Sequence, residues 1–172
     1  MNQRMLRLVM AAFALTAAFA AAAFAGEPIT PKLGLFYGRV VGPQQNGEVE
    51  VHETEVKVVK VVKRQGAQVS VSPFAATSCT GDQGPPVGFS VLEKSPIPIK
   101  NGKFKLDHTT HPRIAAGAGT GTMRTVLSGT FKSPTKVVVE VSANLSYSVQ
   151  YPGQPEIKGT CTGKQTSIAK HQ

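Results

Sequence analysis

Tryptophan is missing from this chain, and phenylalanine and tyrosine supply only 8 and 3 residues. Binding sites that stack sugar rings on exposed aromatic platforms are therefore poorly provided for. Of the aromatics beyond residue 25, Phe104, Tyr147 and Tyr151 fall on faces that read as core; Phe36, Tyr37, Phe74, Phe89 and Phe131 have no clear exposed assignment. Acids are scarce as well, 10 Asp and Glu against 19 Lys and Arg. Their scatter singles out no pair for acid–base chemistry. Beyond residue 25 no apolar run nears the ~20 residues of a membrane-spanning helix, and no stretch keeps a helical period. A G-x-S-x-G elbow is missing too. Gly117-Ala118-Gly119-Thr120-Gly121 lacks the Lys-Ser/Thr of a phosphate loop and reads as a flexible turn. Asp107, His108 and His111 alone group metal-ligand types. They read as exposed loop residues, so neither a metal nor a cofactor is expected.

The first 25 residues have the form of a secretory signal. Arg4 and Arg7 are positive, Leu8 to Ala22 is almost wholly apolar, and Ala23-Phe24-Ala25 is an A-x-A cleavage pattern. Cleavage between Ala25 and Gly26 would leave about 147 residues, enough for one domain. Residues 26–32 read as a disordered leader and 33–172 as the domain. The expected location is secreted or extracellular, or periplasmic if the source has an outer membrane. In an exported chain the two cysteines, Cys79 and Cys161, are expected to pair. Each reads as a strand end before a Gly turn. Closing a loop of ~80 residues removes about 4.5 kcal/mol of unfolded-state entropy in the chain-entropy picture.

Alternation is the dominant pattern. From Val137 to Tyr151 every odd position is apolar and every even position but Val138 is polar. A period of two means a strand with one dry and one wet face. Fifteen residues is long for a strand, so a loop at Ser142-Ala143-Asn144 is expected to split it into a hairpin; a single bent strand is the alternative. Leu33 to Val41 reads as a first strand. In Glu48 to Arg64, Val49 and Val51 read as inward and Glu48, Glu50 and His52 as wet; the parity then slips, with a turn at Arg64–Ala67. Lys57, Lys60, Lys63 and Arg64 form either an anion-binding stripe or a guard on a strand edge. Asn101-Gly102 is the preferred type I′ turn, pairing Ile99 with Phe104 and Ile97 with Leu106. Pro98 marks its strand as an edge. His108 to Thr122 reads as a long loop and one place to look for a site. Ile157–Cys161 and Lys164–Ala169 read as two final strands. Asn144-Leu145-Ser146 matches a glycosylation acceptor, which in a bacterial chain carries no weight.

The order of motifs adds a resemblance. A Tyr-Gly early strand precedes a Val-rich hairpin ending in Cys-Thr-Gly; then come Pro-Ile-Pro-Ile-Lys-Asn-Gly-Lys-Phe (96–104), Ser-Gly-Thr-Phe-Lys-Ser-Pro-Thr-Lys (128–136) and Gly-Thr-Cys-Thr-Gly (159–163). This resembles a group of small exported bacterial β-sandwich proteins of unknown function, frequent in actinobacteria. The shared motifs are turns and cysteines, so the resemblance implies a fold and no chemistry. Where that group often has Trp after the second Cys, this chain has Gln165-Thr166-Ser167-Ile168.

The sequence thus predicts an all-β, antiparallel two-sheet sandwich of the jelly-roll or immunoglobulin-like kind, with nine to eleven strands and one disulfide. The expected function is an exported, non-catalytic, envelope-associated or extracellular binding domain. Its partner would be an anionic or carbohydrate polymer or a protein. A nucleic acid is not expected, because the basic residues show no base-reading arrangement. Two alternatives stand beside this: a hydrolase of envelope polymers, and a structural subunit that pairs through an edge strand.

Overall fold

A computed structural model describes residues 28–41, 51–75, 78–80, 88–114 and 118–172. Among them run ten strands: β1 Gly34–Val41, β2 Val51–Val61, β3 Arg64–Ala75, β4 Ser78–Thr80, β5 Gly88–Pro98, β6 Lys103–Thr110, β7 Arg113–Ile114, β8 Gly119–Ser133, β9 Lys136–Val149 and β10 Ile157–His171. No described residue is in a helix long and apolar enough to cross a membrane. The strands form one antiparallel sheet in the order β5-β3-β2-β1-β10-β9-β8-β6, with β4 added to β10 and β7 to β8. Its edges, β5 and β6, meet at the Asn101-Gly102 turn through a bridge between Lys100 and Lys103. The sheet is therefore a nearly closed barrel. The expected pair of stacked sheets is replaced by continuous hydrogen bonding, because β8, β9 and β10 are long enough to carry the twist around.

β9 sets the phase of the interior. Val137, Val139, Val141, Ala143, Leu145, Tyr147 and Val149 are all buried, and the even residues from Glu140 to Ser146 are exposed. The expected loop at 142–144 does not form. Ser142 pairs with Val126 on one side and Lys164 on the other, and Asn144 with Arg124 and Thr162. A loop there would strip two ladders of their partners. Tyr151 lies past the strand and is exposed, so it is not core. Phe36, Phe104 and Phe131 pack edge to face at one end, with centroids 5.4 and 6.2 Å from Phe131. Phe74 and Phe89 lie against each other at 5.7 Å. Each such buried ring contributes about 2–3 kcal/mol.

Several segments that read as loops are strand, and glycine is the reason. The predicted 108–122 loop holds the end of β6, all of β7 and the start of β8. Its apolar period is hidden because inward positions are Gly119 and Gly121. A Cβ on Gly121 would stand 2.6 Å from the Ile114 side chain and 2.9 Å from Leu145. Likewise Ile157 to Ala169 is one strand. Gly163 is no turn: a Cβ there would lie 2.5 Å from the Phe89 ring. The Asn101-Gly102 turn is as predicted, with φ of 49° and 68°. Its flanking strands then diverge, β5 to β3 and β6 to β8, so Ile97 meets Ala67 and Leu106 meets Leu127. Pro98 does lie on an edge strand.

β2 reverses the expected parity. His52 and Thr54 are buried and Val51 is exposed. The inward set is fixed by Val56 and Val58, and the alternation runs unbroken back to His52. Thr54 receives a 2.8 Å hydrogen bond from Ser167 Oγ on β10. The turn after β2 falls at Val62-Lys63, two residues before the position expected. Residues 28–32, expected to be disordered, seal that end of the barrel. Ile29 packs on the core, Gln65 Nε2 donates to Pro31 O at 3.0 Å, and Lys32 N donates to Pro134 O at 2.9 Å. Residues 26 and 27 lie outside the described set.

Cys79 and Cys161 sit directly opposite each other on β4 and β10 and are joined. Replacing both with Ala should lower the unfolding free energy by about 2–5 kcal/mol in denaturant titration. Val62 has a φ of 53°, where β-branched residues are strained and glycine is usual. Val62→Gly should therefore raise stability by about 1 kcal/mol, read as a higher denaturation midpoint at unchanged slope.

Candidate functional site

A groove of about 760 Å³ lies on the outer face of β4, β10, β9, β8 and β7. Strand register builds it. Thr80 faces Thr160, which faces Ser146, which faces Thr122, so one row of hydroxyls crosses four strands. The next row is Lys158, Ser148, Thr120 and Arg113. Neighbours in a row are ~4.8 Å apart and alternate residues of a strand ~6.8 Å. The surface is therefore a grid of groups that both donate and accept. One wall is β4, held to β10 by the disulfide and by Thr80 Oγ1 to Thr160 Oγ1 at 2.6 Å. The other is residues 111–113, seated by Gly121 N donating to Pro112 O at 3.1 Å.

The charges are arranged unequally. Glu156, on the loop before β10, accepts from Ser148 Oγ and pairs with Lys158 at 2.9 Å. These contacts, Ser148 first, hold its carboxyl below the usual range. Lys158 thus has an acidic partner. Arg113 has no ion pair with a described residue and offers its planar donor fork to the groove. His111 Nδ1 lies 3.4 Å from Thr122 Oγ1. Among the described residues no carboxylate lines the groove.

The predicted cluster of Asp107, His108 and His111 is pulled apart by strand parity. Asp107 points outward and takes two hydrogen bonds from Arg124, at 3.0 and 2.8 Å. Those bonds lower its carboxyl pKa. His108 turns inward, and its Nδ1 meets no partner among the described residues; neither does the amide of buried Gln165. No group of three metal-ligand types forms among the described residues.

Of the basic stripe, Lys60, Lys63 and Arg64 line a second groove of about 490 Å³ with Pro28–Pro31, Leu33 and Asn101. Lys57 stands on the exposed face of β2 and does not line it. The four do not guard an edge, because β2 lies between β1 and β3. Ala25 and Gly26 lie outside the described residues. The sequence pointed to 108–122 as a place for a site, and His111–Arg113 and Thr120–Thr122 do line the large groove. The hydroxyl rows could not be found that way, since each comes from four distant segments.

Comparison with family profiles, curated proteins and solved structures finds no match to this chain.

Asp107 gives a pH test. Its folded pKa is depressed, so its stabilising effect is present above the unfolded value of about 3.9 and lost as pH falls through the lower folded value. Carboxyl NMR titration should place its midpoint below that of an ordinary aspartate. Arg124→Gln should raise that midpoint toward the ordinary value, since Arg124 is the first cause of the lowering.

Proposed function

We propose that this protein is an exported binding domain of the cell envelope or its surroundings, holding an extended, acidic, polyhydroxylated chain along the groove of β4, β10, β9, β8 and β7. The observation that carries the reading is the grid of Thr and Ser hydroxyls beside one unneutralised guanidinium. Hydroxyl rows suit ligands that present donors and acceptors along their length. A free guanidinium suits a carboxylate or phosphate on the same ligand. An open groove suits a polymer better than an enclosed small molecule. Export is supported by the signal-like first 25 residues and by the cross-strand disulfide, which persists in oxidising compartments. The reading is a non-catalytic one, in keeping with a groove whose described residues include no acid beside His111.

The test is an NMR titration of the chain from Gly26 onward with a short oligouronate. Amide shifts should concentrate at 120–122, 146–148 and 158–160. Arg113→Ala should weaken binding about tenfold or more, as expected for loss of a charge-assisted hydrogen bond. Thr122→Val with Thr160→Val should weaken it severalfold while keeping the fold. Shifts confined to the other end of the barrel, or equal affinity in both variants, would refute the groove as the site.

A further inference from the structure

The opposite end of the barrel carries a second surface. Five segments converge there: 28–34, 57–67, 97–105, 130–138 and 168–172. Backbone hydrogen bonds tie them together: Lys32 N to Pro134 O at 2.9 Å, Ile99 N to Gln65 O at 3.0 Å, Phe131 N to Gly102 O at 2.8 Å and His171 N to Thr135 O at 2.9 Å. Together these segments hold eleven lysines and arginines and no aspartate or glutamate. Elsewhere three of the six described cations are matched, Arg39 with Glu53, Arg124 with Asp107 and Lys158 with Glu156, while Lys94, Arg113 and Lys164 have no ion pair with a described residue. At this end none has an ion pair with a described residue.

Apolar groups stand among these charges. Val62, at the tip of the β2–β3 hairpin, is 87% exposed, and Leu33 is 50% exposed. Lys63 and Arg64 flank the tip and, with Lys60, line the groove of about 490 Å³. Val62 is held there at a φ of 53°. A strained, exposed apolar residue ringed by cations is a poor choice for a solvated turn. It is a good one for a headgroup boundary, where the side chain enters the acyl layer and cations meet phosphate.

Pro28 also lines this groove, so the 27 residues upstream join the barrel at this end.

We propose that the basic end of the barrel docks on an anionic phospholipid surface, with Val62 inserted at the hairpin tip and a lipid phosphate held by Lys60, Lys63 and Arg64. The groove of hydroxyls, on the outer wall near the far end of the barrel, then stays clear of the bilayer. Each Lys or Arg near an anionic leaflet strengthens binding about fivefold. The attraction should fade as salt shortens the screening length from ~10 Å at 0.1 M to ~3 Å at 1 M.

The experiment is vesicle flotation with the chain from Gly26 onward, which contains every described strand. Vesicles of phosphatidylglycerol with phosphatidylcholine should carry the protein at 0.1 M salt and release it at 1 M; pure phosphatidylcholine should not carry it. Lys60→Gln, Lys63→Gln and Arg64→Gln together should weaken binding about a hundredfold. Val62→Gly, the more stable variant, should bind severalfold more weakly, which separates lost docking from lost folding. Three results would overturn the proposal: equal flotation with neutral vesicles, unchanged binding in either variant, or retention on a polyanionic glycan with no flotation on anionic vesicles.

Discussion

Everything in this barrel depends on the ladder that holds β9 between β8 and β10. Fourteen residues of β9 are paired on both sides. That double pairing fixes one inward parity for three long strands at once. A slip of one residue would turn every buried Val of β9 to solvent. The same register aligns Thr122, Ser146 and Thr160 on the outer face, so core and groove are two sides of one constraint. Glycines make the ladder fit. Where Phe89 presses on β10 and Leu145 on β8, only a residue without a side chain allows the approach.

The interior is not uniformly oily. Thr54 and Ser167 satisfy each other across β2 and β10. The Gln165 amide, also buried, has no described partner. An unpaired buried amide costs about 1–3 kcal/mol, so the apolar cluster around Phe36, Phe131 and the β9 valines must outweigh it. The disulfide does different work. It anchors a three-residue strand, β4, that could not hold its own place by backbone bonds alone, and in doing so raises one wall of the groove.

The two ends of the barrel differ in chemistry. One end gathers cations that have no ion pair with a described residue around an apolar tip; the other presents hydroxyls, with Lys158 matched to Glu156 and Arg113 unmatched among the described residues. An up-and-down arrangement of strands produces such a division cheaply. Each turn of one parity falls at the same end, so a bias of Lys toward those turns accumulates into a charged face.

What the sequence by itself determined was local. The alternation of 137–151, the positive φ at Asn101-Gly102, the edge character given by Pro98 and the pairing of two cysteines in an oxidising setting all follow from near neighbours or from residue chemistry. The closed sheet did not follow, nor did the burial of His52 and Thr54, the strand through 108–122, or the union of 157–171. In each case the deciding partner is distant in the chain. Gly121 reads as a loop until Leu145 and Ile114 are seen to occupy its missing side chain. Lys60, Lys63 and Arg64 read as an edge guard until β1 and β3 are seen on either side. A period of two says that a strand has two faces. Only long-range pairing decides which face is covered and which distant cations and hydroxyls end up side by side, because strand register is set between segments and not within them.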